Sequence, residues 1–472
     1  MDGDEVMKQL LLGICMICLI CLATGCGRQD GNTTKQDNTK TEKKKGSVYF
    51  LNNREELHSV YEEIAKAYEK KTGVKVTVKS IEGEDYEDEL EDELTDAPTP
   101  SLISIPGVKS FARWEDYCDD ISDSKLVEYL EDTKLAISDS QGIYAIPAGV
   151  EGYGIVCNEA IFERYLQLDS KETDIQSIEQ IRNFDTLQEV VEDIHKHKEE
   201  LEIQGVFAGV SMEDGSRLPW VKYLAGAVLA EEFADNENYD NEILAALSSE
   251  TITFRDSDCF RNVFELYTKY CTAKKRDFDE ITTADAINEF ATGKCMMIQA
   301  GSFSWNQIAE VEDSSLDFHK IKMLPIYLGT SQDTNRGICI GTDYYLAVNA
   351  QAKEDDKKAT LEFLQWLYGT SEGKAYVLNS LGVIAPFNTF SEKEVPDNPL
   401  AKEVLRYMEE EGRKNVPWVF AAFPDGDFYD EVGDDLEDYV EGKIDFSVFT
   451  QKFCEHWRKE SVATTSTKGY NG

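Results

Sequence analysis

The sequence predicts an α/β fold. Stretches of helical and strand period alternate along the chain, the first of them forming a β-α-β unit, and 472 residues exceed what one compact core accommodates. A hydrophobic content of 41% with 22 Phe, 22 Tyr and 6 Trp supplies packed cores for two or three domains. The formal charge, 48 basic against 91 acidic residues or −43, excludes electrostatic capture of nucleic acid. It favours a neutral or cationic partner, and solvated helix faces account for many of the acids.

The N-terminal stretch reads as a targeting segment. Leu10–Leu22 (LLLGICMICLICL) is an apolar run of signal-peptide length, shorter than the ~20 residues of a spanning helix. Asp2, Asp4 and Glu5 are acidic where such a segment is normally basic, so Met7-Lys8 makes a better start. The following LATGC, residues 22–26, resembles the lipobox of bacterial lipoproteins, although Ala23 stands where Leu is usual. Residues 1–25 are therefore expected to be a signal peptide and Cys26 the lipidated residue, with secretory cleavage near Gly25 as the alternative. Residues 26–46 are expected to tether the protein to the outer face of the cytoplasmic membrane. Positions 27–46 lack any large apolar side chain and carry six basic and three acidic groups.

The body opens with the strand SVYFLNN. Leu57, Val60, Tyr61, Ile64 and Tyr68 then recur at helical spacing between Glu55 and Lys71, Gly73 stops the helix, and VKVTVKS alternates as a second strand. Such a unit starts a parallel sheet. A second unit comprises an acidic helix over 86–94, a Pro-bounded turn at Pro98 and Pro100, and the strand SLISI. Helical segments are expected at 111–117, 126–130, 187–198, from 218, at 259–270 and at 284–291, strand character in QGVFAGVS and CMMIQAGSFSW, and a surface loop at 235–240. From Gly337 the pattern is strand, loop, then an apolar-faced helix. Val432, Leu436, Tyr439 and Val440 mark a last amphipathic helix, and the final dozen residues are expected to fray.

One stretch organises the rest: IPAGVEGYGIVCN, residues 146–158. Gly149, Gly152 and Gly154 rule out a helix, since each costs about 1 kcal/mol against Ala there. In a strand they mark close approach by another backbone or a ligand. Glu151 is a single carboxylate in an apolar and aromatic run and needs a polyhydroxylated or cationic partner, or neighbouring backbone amides.

GVEGYGIVCNEAIF, CMMIQAGSFSW, GTDYYLAVNAQAKEDDKKATLEFLQWL and NVPWVFAAFP occur in that order. From about Ser47 to Trp457 the chain resembles the extracellular solute-binding lipoproteins of bacterial ABC importers, in the branch related to the maltose-binding protein. The resemblance implies a two-lobed, periplasmic-binding-protein-like fold with hinge crossovers and an interlobe ligand cleft. Its N-lobe would span 47–155, rejoined by about 337–380, and its C-lobe 156–336 with about 381–472. It also implies a carbohydrate ligand, permease and ATPase partners, a monomer, and membrane attachment through the lipid alone. By the same resemblance Glu151 hydrogen-bonds sugar hydroxyls and Phe303, with Trp305 two residues on, stacks on a pyranose. Trp220 offers a second platform, while Asp343, Tyr344, Tyr153 and Trp418 are further contacts. Core packing is the alternative for both rings of the Phe303 turn, more so for Trp305, and Asn52 and Asn53 either reach the cleft or cap a helix.

No HExxH, GxSxG, Walker loop or Cys/His triad spacing is present, so neither catalysis nor a cofactor is expected. Asp425, Asp427 and Asp430 lack the EF-hand order. Of the 11 Cys, Cys15, Cys18, Cys21 and Cys26 lie in the targeting segment; Cys118, Cys157, Cys259, Cys271, Cys295, Cys339 and Cys454 are unpatterned and read as small buried hydrophobes. A peptide or polyamine ligand, a secreted glycosidase and a surface adhesin are the rival readings.

Overall fold

The computed structural model describes residues 45–467 apart from 82–85, 96, 235–246, 248–250, 343 and 425–426. The targeting segment, Cys26, the 235–240 loop, Asp343 and Asp425 lie outside the described residues. Among the described residues eleven strands run in chain order: β1 Val48–Asn52, β2 Val76–Ser80, β3 Leu102–Ile105, β4 Ile137–Ser138, β5 Ile143–Pro147, β6 Glu151–Asn158, β7 Met297–Gly301, β8 Ile321–Leu324, β9 Arg336–Gly341, β10 Tyr345–Val348 and β11 Lys414–Pro417.

They form two sheets. The first has the order β2-β1-β3-β10-β5-β4, and β1 is parallel to both β2 and β3, as the β-α-β pattern requires. The sheet is mixed rather than parallel throughout, because β10 returns from the far end of the chain antiparallel to β3 and β5. Side-chain alternation serves a core on each face. Val48 and Phe50 pack towards Tyr61, Ile64 and Tyr68 of the helix His58–Thr72 and Phe363 and Leu367 of the helix Glu354–Gly369, whereas Leu51 packs with Leu90 and Trp114 on the opposite face. The first helix ends where expected, with Gly73 at φ 72° in the left-handed region as its cap.

The second sheet has the order β11-β9-β6-β7, with β8 also on β6. All of β6 belongs to it, so residues 151–155, expected in the first lobe, pair with β7 and β9. Tyr153, Ile155 and Cys157 face one core and Val156 the other. The glycines are explained by protein neighbours. A Cβ on Gly154 would sit 2.5 Å from the Leu324 carbonyl oxygen, and one on Gly152 would strike the Val404 side chain.

The chain passes between the sheets at 147–151, at 341–345 and after Leu381, and these crossings touch one another. Ala148 N–H donates to the Tyr344 carbonyl at 2.9 Å and Val150 N–H to that of Ile384 at 2.7 Å. Gly149 is needed here, since a Cβ would lie 2.8 Å from the Val383 side chain.

Three local expectations change. QGVFAGVS forms isolated bridges, Phe207 with Cys271 and Met297, in place of a strand. The strand in CMMIQAGSFSW stops at Gly301, and Trp305 opens the short helix Trp305–Ala309. The last helix, Phe446–Thr467, extends into the final dozen residues expected to fray, of which 468–472 lie outside the described residues. Among the described residues no helix is long and apolar enough to cross a membrane, and no group of His, Cys, Asp or Glu could hold a metal. The seven cysteines outside the targeting segment are free thiols; five are buried, and Cys259 and Cys454 are partly exposed.

Candidate functional site

Where the crossings meet, the first residue of β6 faces the end of β1. Glu151 is 5% exposed, and its Oε2 accepts from Arg54 Nη2 at 2.9 Å. Glu151 opens β6 of the second sheet and Arg54 lies just beyond β1 of the first, so this ion pair joins the lobes. Arg54 Nη1 lies 3.5 Å from Glu56 Oε1, and the guanidinium carbon is 5.5 Å from the centre of the Phe303 ring and 5.3 Å from that of Tyr344. Phe303 sits in the turn Ser302–Ser304 that follows β7, and the Ser302 hydroxyl accepts from the Gly152 N–H at 3.1 Å. That bond sets the turn against β6 and brings ring and carboxylate together. The surrounding walls come from Glu56, Leu57, Ser302, Asn306, Leu381, Gly382, Val383 and Asn398, and the cavity left between them is about 10 Å³.

Arg54 is held from below by a buried polar network. Asn52 Nδ2 donates to the Arg54 carbonyl at 2.6 Å and to Ser80 Oγ at 2.9 Å, while its Oδ1 accepts from the Tyr344 hydroxyl at 2.9 Å. Tyr344 and Tyr61 hydroxyls are 2.7 Å apart. Burial pushes both phenols above the usual tyrosine range, so they remain neutral donors.

The structure brings Glu151 and Phe303 together and distributes the other expected residues differently. Tyr344 acts through the network beneath Arg54. Tyr153, 2% exposed, stands behind the cleft wall, stacked on Tyr223 with centroids 4.0 Å apart. Trp220 is core: its indole N–H donates to the Ser211 carbonyl at 2.9 Å and its ring meets Phe264 and Tyr267 edge-on. Trp305 is also buried, edge-on to Phe318 at 4.8 Å. Trp418 packs against Phe420 and the backbone at Gly341. Asn52 serves the network, and Asp343 lies outside the described residues. Sequence reasoning missed Arg54, whose polar setting, NNREE, reads as the approach to a helix, and Tyr223, which flanks Phe303 at 6.2 Å.

Two α/β lobes, a hinge of three touching crossovers and a cleft with a carboxylate, a guanidinium and an aromatic ring define a two-lobed binding protein. Solved structures share this architecture. A chitin oligosaccharide binding protein superposes with a TM-score of 0.66 at 15% identity, over 88% of this chain and 99% of that one. A sugar transporter protein from Bacillus licheniformis in complex with stachyose gives 0.64 at 18% identity, over 88% and 99%. A putative binding protein from Bacillus subtilis in an open conformation gives 0.67 at 16% identity, over 89% and 99%. No curated protein matches the chain in sequence. The chain belongs to the bacterial extracellular solute-binding protein family, whose model matches residues 63–403.

Proposed function

We propose that this protein is the carbohydrate-binding receptor of an ABC importer, capturing a sugar or oligosaccharide between its lobes and presenting it to a permease driven by an ATPase. The observation that carries the reading is the meeting of Glu151, Arg54 and Phe303 at the lobe junction. A pyranose offers an apolar C–H face to a ring such as Phe303, while its hydroxyls donate to a carboxylate and accept from a guanidinium. Relatives of the same fold whose descriptions name chitin oligosaccharide and stachyose support a glycan ligand. The ligand bridges two lobes and shifts an open-closed equilibrium, because only the closed form presents groups from both. The lobes are divided at the crossings, near 147–151, 341–345 and after 381. The chain acts as a monomeric binding protein rather than an enzyme, held at the outer face of the cytoplasmic membrane through lipid on Cys26.

A second reading is a cationic solute such as a polyamine. The position of Arg54, between Glu151 and Glu56 and over two rings, is the kind of site an ammonium group would take. Arg54 itself opposes that reading, because a cation entering the cleft would meet its charge.

Thermal unfolding of protein starting at Gly27, against mono- and oligosaccharides with amino acids, peptides and polyamines as controls, tests the proposal. A ligand at 100 times its Kd stabilises the native state by about 2.7 kcal/mol. Stabilisation by one glycan class supports the sugar reading. Stabilisation by polyamines alone replaces it, and no response to any glycan refutes it.

A further inference from the structure

Glu151 is 5% exposed, and a carboxylate removed that far from water needs a cation or hydrogen-bond donors. Arg54 supplies both from the opposite lobe, at 2.9 Å. The same guanidinium lies near the Phe303 ring, where a sugar face would stack. Its backbone is pinned by Asn52, so the side chain alone can move out of the way. The cavity of about 10 Å³ that Glu151 and Phe303 help to line holds roughly one water. A ring-sized solute does not fit that space, and one that meets both Glu151 and Phe303 competes with Arg54 for the two groups.

We propose that Arg54 is an intramolecular competitor for the cleft. It pairs with Glu151 and covers Phe303 to draw the lobes together before solute arrives, and it yields both when solute enters. The affinity for a solute is then set against this internal contact. The exchange also selects. A solute must donate to Glu151 and accept from Arg54 to satisfy both groups, which neighbouring hydroxyls do, whereas an ammonium satisfies only Glu151. The contact between the lobes does not depend on the sugar reading, and it can be tested with no solute present.

Small-angle X-ray scattering of the ligand-free protein separates closed from open forms. Arg54→Gln and Arg54→Glu are expected to lower the closed population about tenfold or more, as loss of a buried charged hydrogen bond implies, and to enlarge the radius of gyration. The charge swap Arg54→Glu with Glu151→Arg restores the opposite-charge pair and should return the curve towards wild type. Circular dichroism and the thermal midpoint establish that each variant is folded; Arg54→Gln, which adds no repulsion, serves if Arg54→Glu misfolds. The proposal is overturned if the wild-type protein is already open, if the folded single variants scatter as wild type does, or if the folded swap stays as open as Arg54→Glu. None of these results depends on which solute binds, so a failed glycan screen and a failed latch remain distinguishable.

Discussion

Replacing Glu151 with Gln keeps the side-chain volume and one acceptor oxygen while removing the charge. In the structure Oε2 takes a 2.9 Å bond from Arg54, and the side chain is only 6% exposed, so solvent screens it little. A hydrogen bond to a charged group contributes about 1.5–3 kcal/mol. If a ligand's hydroxyls make such a bond to Glu151, its loss raises Kd by about 10- to 100-fold, at about 1.4 kcal/mol per factor of ten. Folding should change far less, because Gln keeps an acceptor oxygen for Arg54 and Glu56 still faces the guanidinium. The assay is titration calorimetry with the glycan found by thermal screening, alongside the ligand-free melting curve. A Kd within about threefold of wild type, together with ligand-free scattering unchanged from wild type, would refute the role given to Glu151.

Asp333→Ala should be strongly destabilising, by about 3 kcal/mol or more in chemical denaturation. Asp333 is fully buried and accepts from the Phe184, Leu328 and Gly329 backbone N–H groups and from Arg336 Nε, so its loss strips three backbone donors of their acceptor in the core, while Arg336 keeps its ion pair with Glu231. Gly154→Val should prevent β6 from pairing normally with β8, because even a Cβ meets the Leu324 carbonyl; low soluble yield or a lowered urea midpoint is expected, and wild-type behaviour would contradict the packing described. The buried thiols should resist iodoacetamide near neutral pH. Burial pushes Cys271 up to about 11 and Cys118 and Cys339 up to about 12, so thiolate is scarce until the solution is strongly alkaline. Mass spectrometry should find them labelled rapidly only after denaturation; rapid native labelling at pH 7 would contradict that environment.

Much of the local structure was legible because its causes are local. Tyr61, Ile64 and Tyr68 line one face of their helix at helical spacing, and Val48, Phe50 and Leu51 divide between the two faces of a strand. Glu151 stood out as a lone carboxylate among glycines and aromatics. The glycines around it, however, accommodate Val383, Val404 and the Leu324 carbonyl rather than a ligand, since spacing reports that something comes close but not what. The aromatic candidates show the same limit. Phe303 borders the cleft, whereas Trp220, Trp305 and Tyr153, no less suited by residue type to stack on a sugar, are covered by other elements.

The sequence by itself determined the α/β class and the order of most helices and strands, and it singled out Glu151 as an isolated carboxylate in an apolar run. Each of these follows from periodicity, capping and composition within a few residues. The tertiary structure alone decided that Arg54 meets Glu151, 97 residues away, and that Phe303 joins them. Those contacts exist only once three distant crossings lie side by side. Their energies come from burial and charge pairing between lobes, which no local pattern records.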